Sequence, residues 1–271
     1  MREEFITSVQ NPYIKKLYSL HNRKGREETG TYLVEGPHLV EEAIRSGADI
    51  RAILYNIEYA MHPDCERALE ETGRDLDIYA VSQQIMEKLS ETKSPQGIIA
   101  VVGMPDRSFA TWWKTASERD FLLLILDELQ DPGNLGTILR TADAAGVDAV
   151  ILGQGSVDIY NGKVVRATMG SLFRLPVFVE KLDEVVDEVK SKGGSLLVTA
   201  LGGESRSYDE PLYSGKTAIV IGNEARGVSQ ELKQAASQLV HIPLYGRAES
   251  LNAAVAAGVM LYEAQRQRKS Q

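Results

Sequence analysis

HIPLYGRAESLNAAVAAGVMLYEAQRQR, His241 to Arg268, is the stretch on which the reading of the chain turns. A short apolar run around Ile242 leads into a glycine-containing turn, and Ser250-Leu251-Asn252 then opens a helix. From Ala253 to Met260 that helix has almost no polar face. A helix apolar all round is a buried one, and its small side chains let a second backbone come close. Ser250 and Asn252 therefore stand at the edge of a core, where small-molecule pockets are built.

Upstream of this stretch, strands and helices alternate. Phe121 to Leu126 is a continuous apolar run, as in a strand buried on both faces. In DELQDPGNLGTILRTADAAG, Asp127 to Gly146, a turn at Asp131-Pro132-Gly133 and an N-cap at Asn134 predict a helix over Leu135–Ala145. Further strands are expected at 149–152, 176–179, 195–200 and 218–222, with helices at 164–172, 182–192 and 230–236. This is the rhythm of a parallel-sheet α/β domain. The first hundred residues alternate too, in a smaller α/β domain. A helix is expected over 5–20, a mobile polar loop over His21–Thr31, strands at 31–36, 50–55, 78–81 and 97–102, and helices at 37–46, 64–72 and 83–89. The expected division is 1–103, a linker at 104–119 that carries Trp112 and Trp113 as packing anchors, and 120–271.

With 43% hydrophobic and 25% charged residues over 271 positions, the composition is that of a soluble globular protein. No apolar run reaches membrane-spanning length, roughly 18 residues, and MREEFITSVQNPYIKK has no signal-peptide apolar core. Cys65 is the only cysteine and the four histidines show no ligand spacing, so neither a disulfide nor a metal is expected, and a reducing cytoplasm fits. A net charge of -8 argues against indiscriminate nucleic-acid binding. Residues 1–26 run the other way, with six basic residues against two acidic, a local +4.

In open α/β sheets ligands sit beyond the carboxyl ends of strands. Four loops there are rich in glycine or polar residues: Asp127–Arg140, Leu201–Gly203, Gly222–Gly227 and Leu244–Asn252. Neither the triphosphate nor the dinucleotide glycine signature occurs. Backbone-rich loops of this kind suit the base edges of an adenosine. His241 alternates with Val240 and Ile242 and reads as a core or surface histidine. Arg140, about two turns into its helix and expected on the same rim as Asn134, is suited to grip a phosphate with both its guanidinium edges.

Three of these stretches together carry a resemblance. DPGNLGTILRTADAAGVDAVIL, IVIGNEARGVS and IPLYGRAESLNAAVAAGVMLYE resemble the three motifs of the SpoU (TrmH-like) RNA ribose methyltransferases of the SPOUT superfamily, and DIYNGKVVRATMGSLFRLPV between them is similar to the family's intervening segment. YLVEGPHLVEEAI and SPQGIIAVV resemble the family's N-terminal substrate-binding domain, related in fold to RNA-binding ribosomal proteins. The resemblance implies methyl transfer from S-adenosylmethionine to a ribose 2′-hydroxyl of RNA, with S-adenosylhomocysteine as product and no metal. It also implies a trefoil knot formed by the C-terminal segment, a rare exception to unknotted topology. Backbone around Leu201, Gly202, Gly222, Asn223, Ile242, Leu244, Leu251 and Ala253 would hold the cofactor. A homodimer is implied, with the first-motif and last helices at its interface.

By motif position Arg140 corresponds to the family's catalytic arginine, and Asn134, Glu224, Ser250 and Asn252 to its other polar site residues. A guanidinium is always protonated, so Arg140 is read as a phosphate clamp that also stabilises the developing alkoxide. Glu224 either positions the hydroxyl or accepts its proton. Ala225 stands where glycine is frequent in the family. Lys15, Lys16, Arg23, Lys24 and Arg26 are expected to contact the RNA backbone. Ribosomal RNA is the expected substrate, because the extra N-terminal domain resembles that of members that modify ribosomal RNA. Transfer RNA and a non-catalytic RNA-binding protein on the same fold are the alternatives. A nicotinamide-dependent dehydrogenase ranks last, since its pyrophosphate loop is missing.

Overall fold

The computed structural model describes residues 2–270 apart from 59, 60, 74, 201 and 203. In chain order the first hundred residues give β1 (Arg2–Ile6), α1 (Pro12–Ser19), α2 (Arg23–Thr29), β2 (Thr31–Glu35), α3 (Pro37–Arg45), β3 (Ile50–Asn56), α4 (Pro63–Thr72), β4 (Asp77–Val81), α5 (Gln83–Leu89) and β5 (Ile98–Gly103). Then follow α6 (Phe109–Ala116), β6 (Leu122–Leu126), α7 (Pro132–Ala144), β7 (Ala149–Gly153), α8 (Gly162–Ala167), β8 (Val177–Glu180), α9 (Leu182–Ser191) and β9 (Ser195–Thr199). The chain ends with β10 (Arg206–Ser207), β11 (Thr217–Ile221), α10 (Gln230–Ala235), β12 (Gln238–His241) and α11 (Ala253–Lys269).

Two compact units result: Met1–Asp106 with Asp158–Phe173, and Arg107–Val157 with Arg174–Gln271. The first has a five-stranded mixed sheet in the order β1-β4-β3-β5-β2, with β5 antiparallel to both neighbours. The second has a seven-stranded parallel sheet, β10-β12-β9-β11-β6-β7-β8. Every residue of β6, β7 and β11 is buried. Helices cover both faces of such a sheet, so its central strands are buried throughout and almost wholly apolar instead of alternating.

Four expectations change. The division of the chain does not fall at 103 and 120. Residues 107–119 belong to the second unit, where Ser108 caps α6 and Phe109 and Trp113 are buried. Trp113 packs on Phe121 at 5.1 Å between ring centroids and donates its indole N–H to Glu188 at 3.0 Å. Both tryptophans do anchor packing, since Trp112 lies against Phe178 at 5.4 Å. The polar segment 21–31 is no loop but contains α2, built round buried Arg26. The Arg26 charge is answered by Asp158, 132 residues away, which no local pattern reveals. Residues 5–20 split into the edge strand β1 and α1, which Asn11 caps from just before Pro12. The helix expected over 164–172 stops after Ala167, where Met169 and Gly170 turn left-handed at φ 50° and 91°.

Candidate active site

The N-cap of α7 is Asp131, not Asn134. Its carboxylate accepts the Asn134 backbone N–H at 2.7 Å, with Pro132 in the first turn, where it needs no hydrogen bond of its own. The Asn134 side chain is thereby released from capping. Its Nδ2 donates to Glu224 Oε1 at 3.0 Å and its Oδ1 accepts from Asn252 Nδ2 at 2.9 Å. Asn252 in turn caps α11, its Oδ1 accepting the N–H groups of Ala254 at 2.9 Å and Val255 at 3.3 Å. The amide orientations are fixed by these partners. Among the described residues Asn134 and Asn252 each keep one side-chain N–H unspent.

Glu224 is held from three sides. Besides Asn134, the backbone N–H of Asp131 reaches Oε1 at 3.0 Å and that of Gln130 reaches Oε2 at 3.2 Å. Burial works to raise its pKa, but the hydrogen bonds from Asn134 and the backbone outweigh that and hold the carboxyl below the usual glutamate value. Glu224 is thus an anchored carboxylate that ties α7 to the loop after β11. Asn223 shapes that loop from within. Its Oδ1 accepts from the N–H groups of Ala225 and Arg226, its Nδ2 donates to the Glu128 carbonyl at 2.8 Å, and Asn223 and Gly227 exchange both backbone hydrogen bonds. Gly222 is required by close approach, since a Cβ there would lie 2.2 Å from the Gly227 carbonyl carbon and the Val228 nitrogen.

These pieces surround a cavity of about 620 Å³. Of the expected cofactor residues, Gly222, Asn223, Ile242, Leu244, Leu251 and Ala253 line it. Of the expected catalytic residues, Asn134, Glu224, Ser250 and Asn252 do. Leu201 lies outside the described residues, and Gly202, left-handed at φ 77°, does not line the wall. Arg140 does not reach the rim either. It lies six residues beyond Asn134, about 120° round the helix, on the exposed face of α7, and has no hydrogen bond or ion pair among the described residues. Sequence reading missed Thr199 and Lys233, which also line the cavity. Thr199 ends a strand next to the recognised loop, but nothing local distinguishes Lys233 from any other helical lysine. His241 lines the cavity and lies 3.0 Å from Ser205 through Nδ1.

The expected RNA-contacting residues divide. Lys15, Lys16, Arg23 and Lys24 are exposed, Arg23 pairing with Glu27 at 2.7 Å and Lys24 with Glu28 at 3.7 Å. Arg26 is a correction. It is 4% exposed and spends four of its five guanidinium N–H groups on Asp158 and on the carbonyls of Leu20 and His21, so it is not presented to a phosphate.

The model of the SpoU rRNA Methylase family matches residues 121–262, which contain every wall of this cavity, and that of the MRM3-like substrate binding domain matches residues 11–100. The chain belongs to the SpoU rRNA methylase family. Over 257 residues it is 41% identical to the 23S rRNA (guanosine(2553)-2′-O)-methyltransferase RlmP of Bacillus subtilis, covering 95% of this chain and 97% of that one. It is 34% identical to the 23S rRNA (uridine(2479)-2′-O)-methyltransferase of Streptomyces viridochromogenes, covering 93% and 88%. The AdoMet-bound rRNA methyltransferase structure from Sinorhizobium meliloti superposes with a TM-score of 0.86 at 32% identity, covering 97% and 98%. This SpoU chain is accordingly a methyltransferase with an N-terminal substrate-binding domain, and its cofactor is S-adenosylmethionine. The cavity fits that cofactor. Its volume lies within the range of small-molecule sites, roughly 300–1,000 Å³, and the close turn at Gly222 exposes backbone to it, as an adenosine requires. Among the described residues no helix is long and apolar enough to cross a membrane.

Proposed function

We propose that this protein methylates a ribose 2′-hydroxyl of ribosomal RNA, and that it does so as a cytoplasmic homodimer. The observation that carries the reading is the Glu224–Asn134–Asn252 network on the wall of the cavity, because it converges three separate segments on one polar rim. The substrate-binding domain and the ribosomal RNA targets named for the two relatives favour ribosomal over transfer RNA.

Bound S-adenosylmethionine supplies an electrophilic methyl group, and Gly222, Ile242, Leu244, Leu251 and the backbone near them would hold it. The chain's own task is to orient a ribose hydroxyl and stabilise the charge that grows on its oxygen. The spare N–H groups of Asn134 and Asn252 are neutral donors fixed in place, which suits them to that oxygen. Glu224 acts by positioning. Its low pKa and three donors make it a weak proton acceptor and a firm anchor. Ser250, whose hydroxyl has no partner among the described residues, is free to contact the ribose.

Arg140 then belongs to the cavity of a second copy. It stands free on α7, off its own chain's cavity, while α11, which packs on α7, exposes Val255 and Tyr262 at 52% and 56%. A twofold contact through these helices would cover the apolar stripe and bring each Arg140 to the other site. The knot is part of the same proposal. It is supported by the return of segment 242–252 from β12, beyond β9, to α11 beside α7 and β11.

The test is transfer of tritiated methyl from S-adenosylmethionine to ribosomal RNA isolated from a strain lacking the protein, with the product mapped as a 2′-O-methylated nucleoside. Label in a base, or none in RNA, overturns the reading. Label in transfer RNA alone replaces the substrate.

A further inference from the structure

We propose that Tyr245 and Arg247 form a nucleotide-gripping tip at the mouth of the cavity, Tyr245 stacking on an unpaired base of the substrate and Arg247 pairing with its phosphate. The proposal rests on the reading of the protein as an RNA 2′-O-methyltransferase and identifies residues that hold its substrate. Tyr245 is 96% exposed, against 56% for Tyr262, the next most exposed large apolar side chain of this unit. Its neighbours Leu244, Glu249 and Ser250 line the cavity, so the tip between them leaves the wall and returns to it within a few residues. A Cβ on Gly246 would meet nothing within 4 Å among the described residues, so the centre of the tip stands open. Arg247 is exposed and has no hydrogen bond or ion pair among the described residues, whereas Arg226 on the facing loop is tied to Glu128.

An aromatic ring left wholly in water contributes nothing to this fold, yet it stands where the substrate must enter. A ribose hydroxyl inside a recessed cavity belongs to a nucleotide drawn out of its stack. Such a base needs a new π-face, and an exposed tyrosine supplies one without regard to base identity. Arg247, two residues away, adds a planar cation suited to the adjoining phosphate. Glu249 in the wall repels a phosphate placed deeper, which leaves the tip as the place for it.

The experiment uses the full chain and ribosomal RNA from a strain lacking the protein. Filter binding of that RNA and KM for it are measured for the wild type, Tyr245→Ala, Tyr245→Phe and Arg247→Ala, and S-adenosylhomocysteine affinity is measured by calorimetry. Tyr245→Ala should weaken RNA binding and raise KM about tenfold, the order expected for one lost base stack. Tyr245→Phe should restore both to within about twofold, and cofactor affinity should stay unchanged throughout. Arg247→Ala should weaken RNA binding and reduce its salt dependence by about one ion. Filter binding reads the tip even if no methyl is transferred, so inactivity of the wild type would count against the methyltransferase reading and not against the tip. Unchanged RNA affinity in Tyr245→Ala overturns the proposal, as does a phenylalanine variant as weak as the alanine one.

Discussion

At the scale of single residues, Glu224 and Arg140 differ in setting, one on the cavity wall and one outside it. Glu224 has its pKa depressed in the fold, so the fold favours its ionised form. The stability this gives is present above the ordinary glutamate range and is lost as pH falls through the depressed value. The loop that Glu224 anchors should hold S-adenosylhomocysteine evenly through and above the ordinary glutamate range and release it as pH falls through the depressed value, which calorimetry over a descending pH series would register. Glu224→Gln puts an amide NH2 against three donors that now share two carboxylate oxygens. The expected result is a fall in kcat of roughly ten- to a hundredfold with the shape of the pH–rate profile kept. A profile that loses an ionisation in this variant would make Glu224 the proton acceptor instead. For Arg140→Ala, kcat should drop by roughly 10²–10³ while cofactor affinity stays within about twofold. Arg140→Lys should rescue little, because an ammonium lacks the planar fork. Full turnover in Arg140→Ala would remove its role.

At the scale of elements, the loop after β11 and the α2 helix show what local sequence can and cannot reveal. The loop after β11 was legible because Gly222, Asn223 and Gly227 each have a local reason to be there. Gly222 is the sharpest case, and Gly222→Ala should cost about 1–3 kcal/mol of stability and abolish cofactor binding, measured by denaturation and calorimetry, because the added carbon meets backbone and not a movable side chain. The helix α2 was not legible, because its reason lies 132 residues away in Asp158. The same is true of the domain division, since segment 158–173 follows β7 of one unit and folds with the other. Arg26→Ala tests this directly. It strands Asp158, 18% exposed, without its counter-charge, and should destabilise the first unit by about 3 kcal/mol in a denaturant titration. A variant with unchanged stability and weakened RNA binding would return Arg26 to the RNA surface.

At the scale of the whole molecule, the question is whether one chain makes a complete site. The cavity collects Asn134, Glu224, Ser250 and Asn252 from one chain but leaves Arg140 outside it. Sequence spacing placed Arg140 on the same rim as Asn134, since two turns of helix are a short distance along the axis. Rotation about that axis decides otherwise, and the proposed second copy would resolve the conflict. Two inactive variants then make an informative mixture. Arg140→Ala keeps its own Asn134, and Asn134→Ala keeps its own Arg140. If the arginine works across the interface, the mixed dimer has one site with both groups intact. Co-expression at equal levels makes half the dimers mixed, so activity should return to about a quarter of the wild-type value. If the arginine works within its own chain, every site lacks one group and the mixture stays as inactive as its parts. Val255→Asp places a charge in the apolar stripe of α11 and should shift the protein to monomer in sedimentation equilibrium and silence it without altering the Asn134–Glu224–Asn252 network. An active monomer, or a silent mixture of the two variants, would confine the chemistry to a single chain.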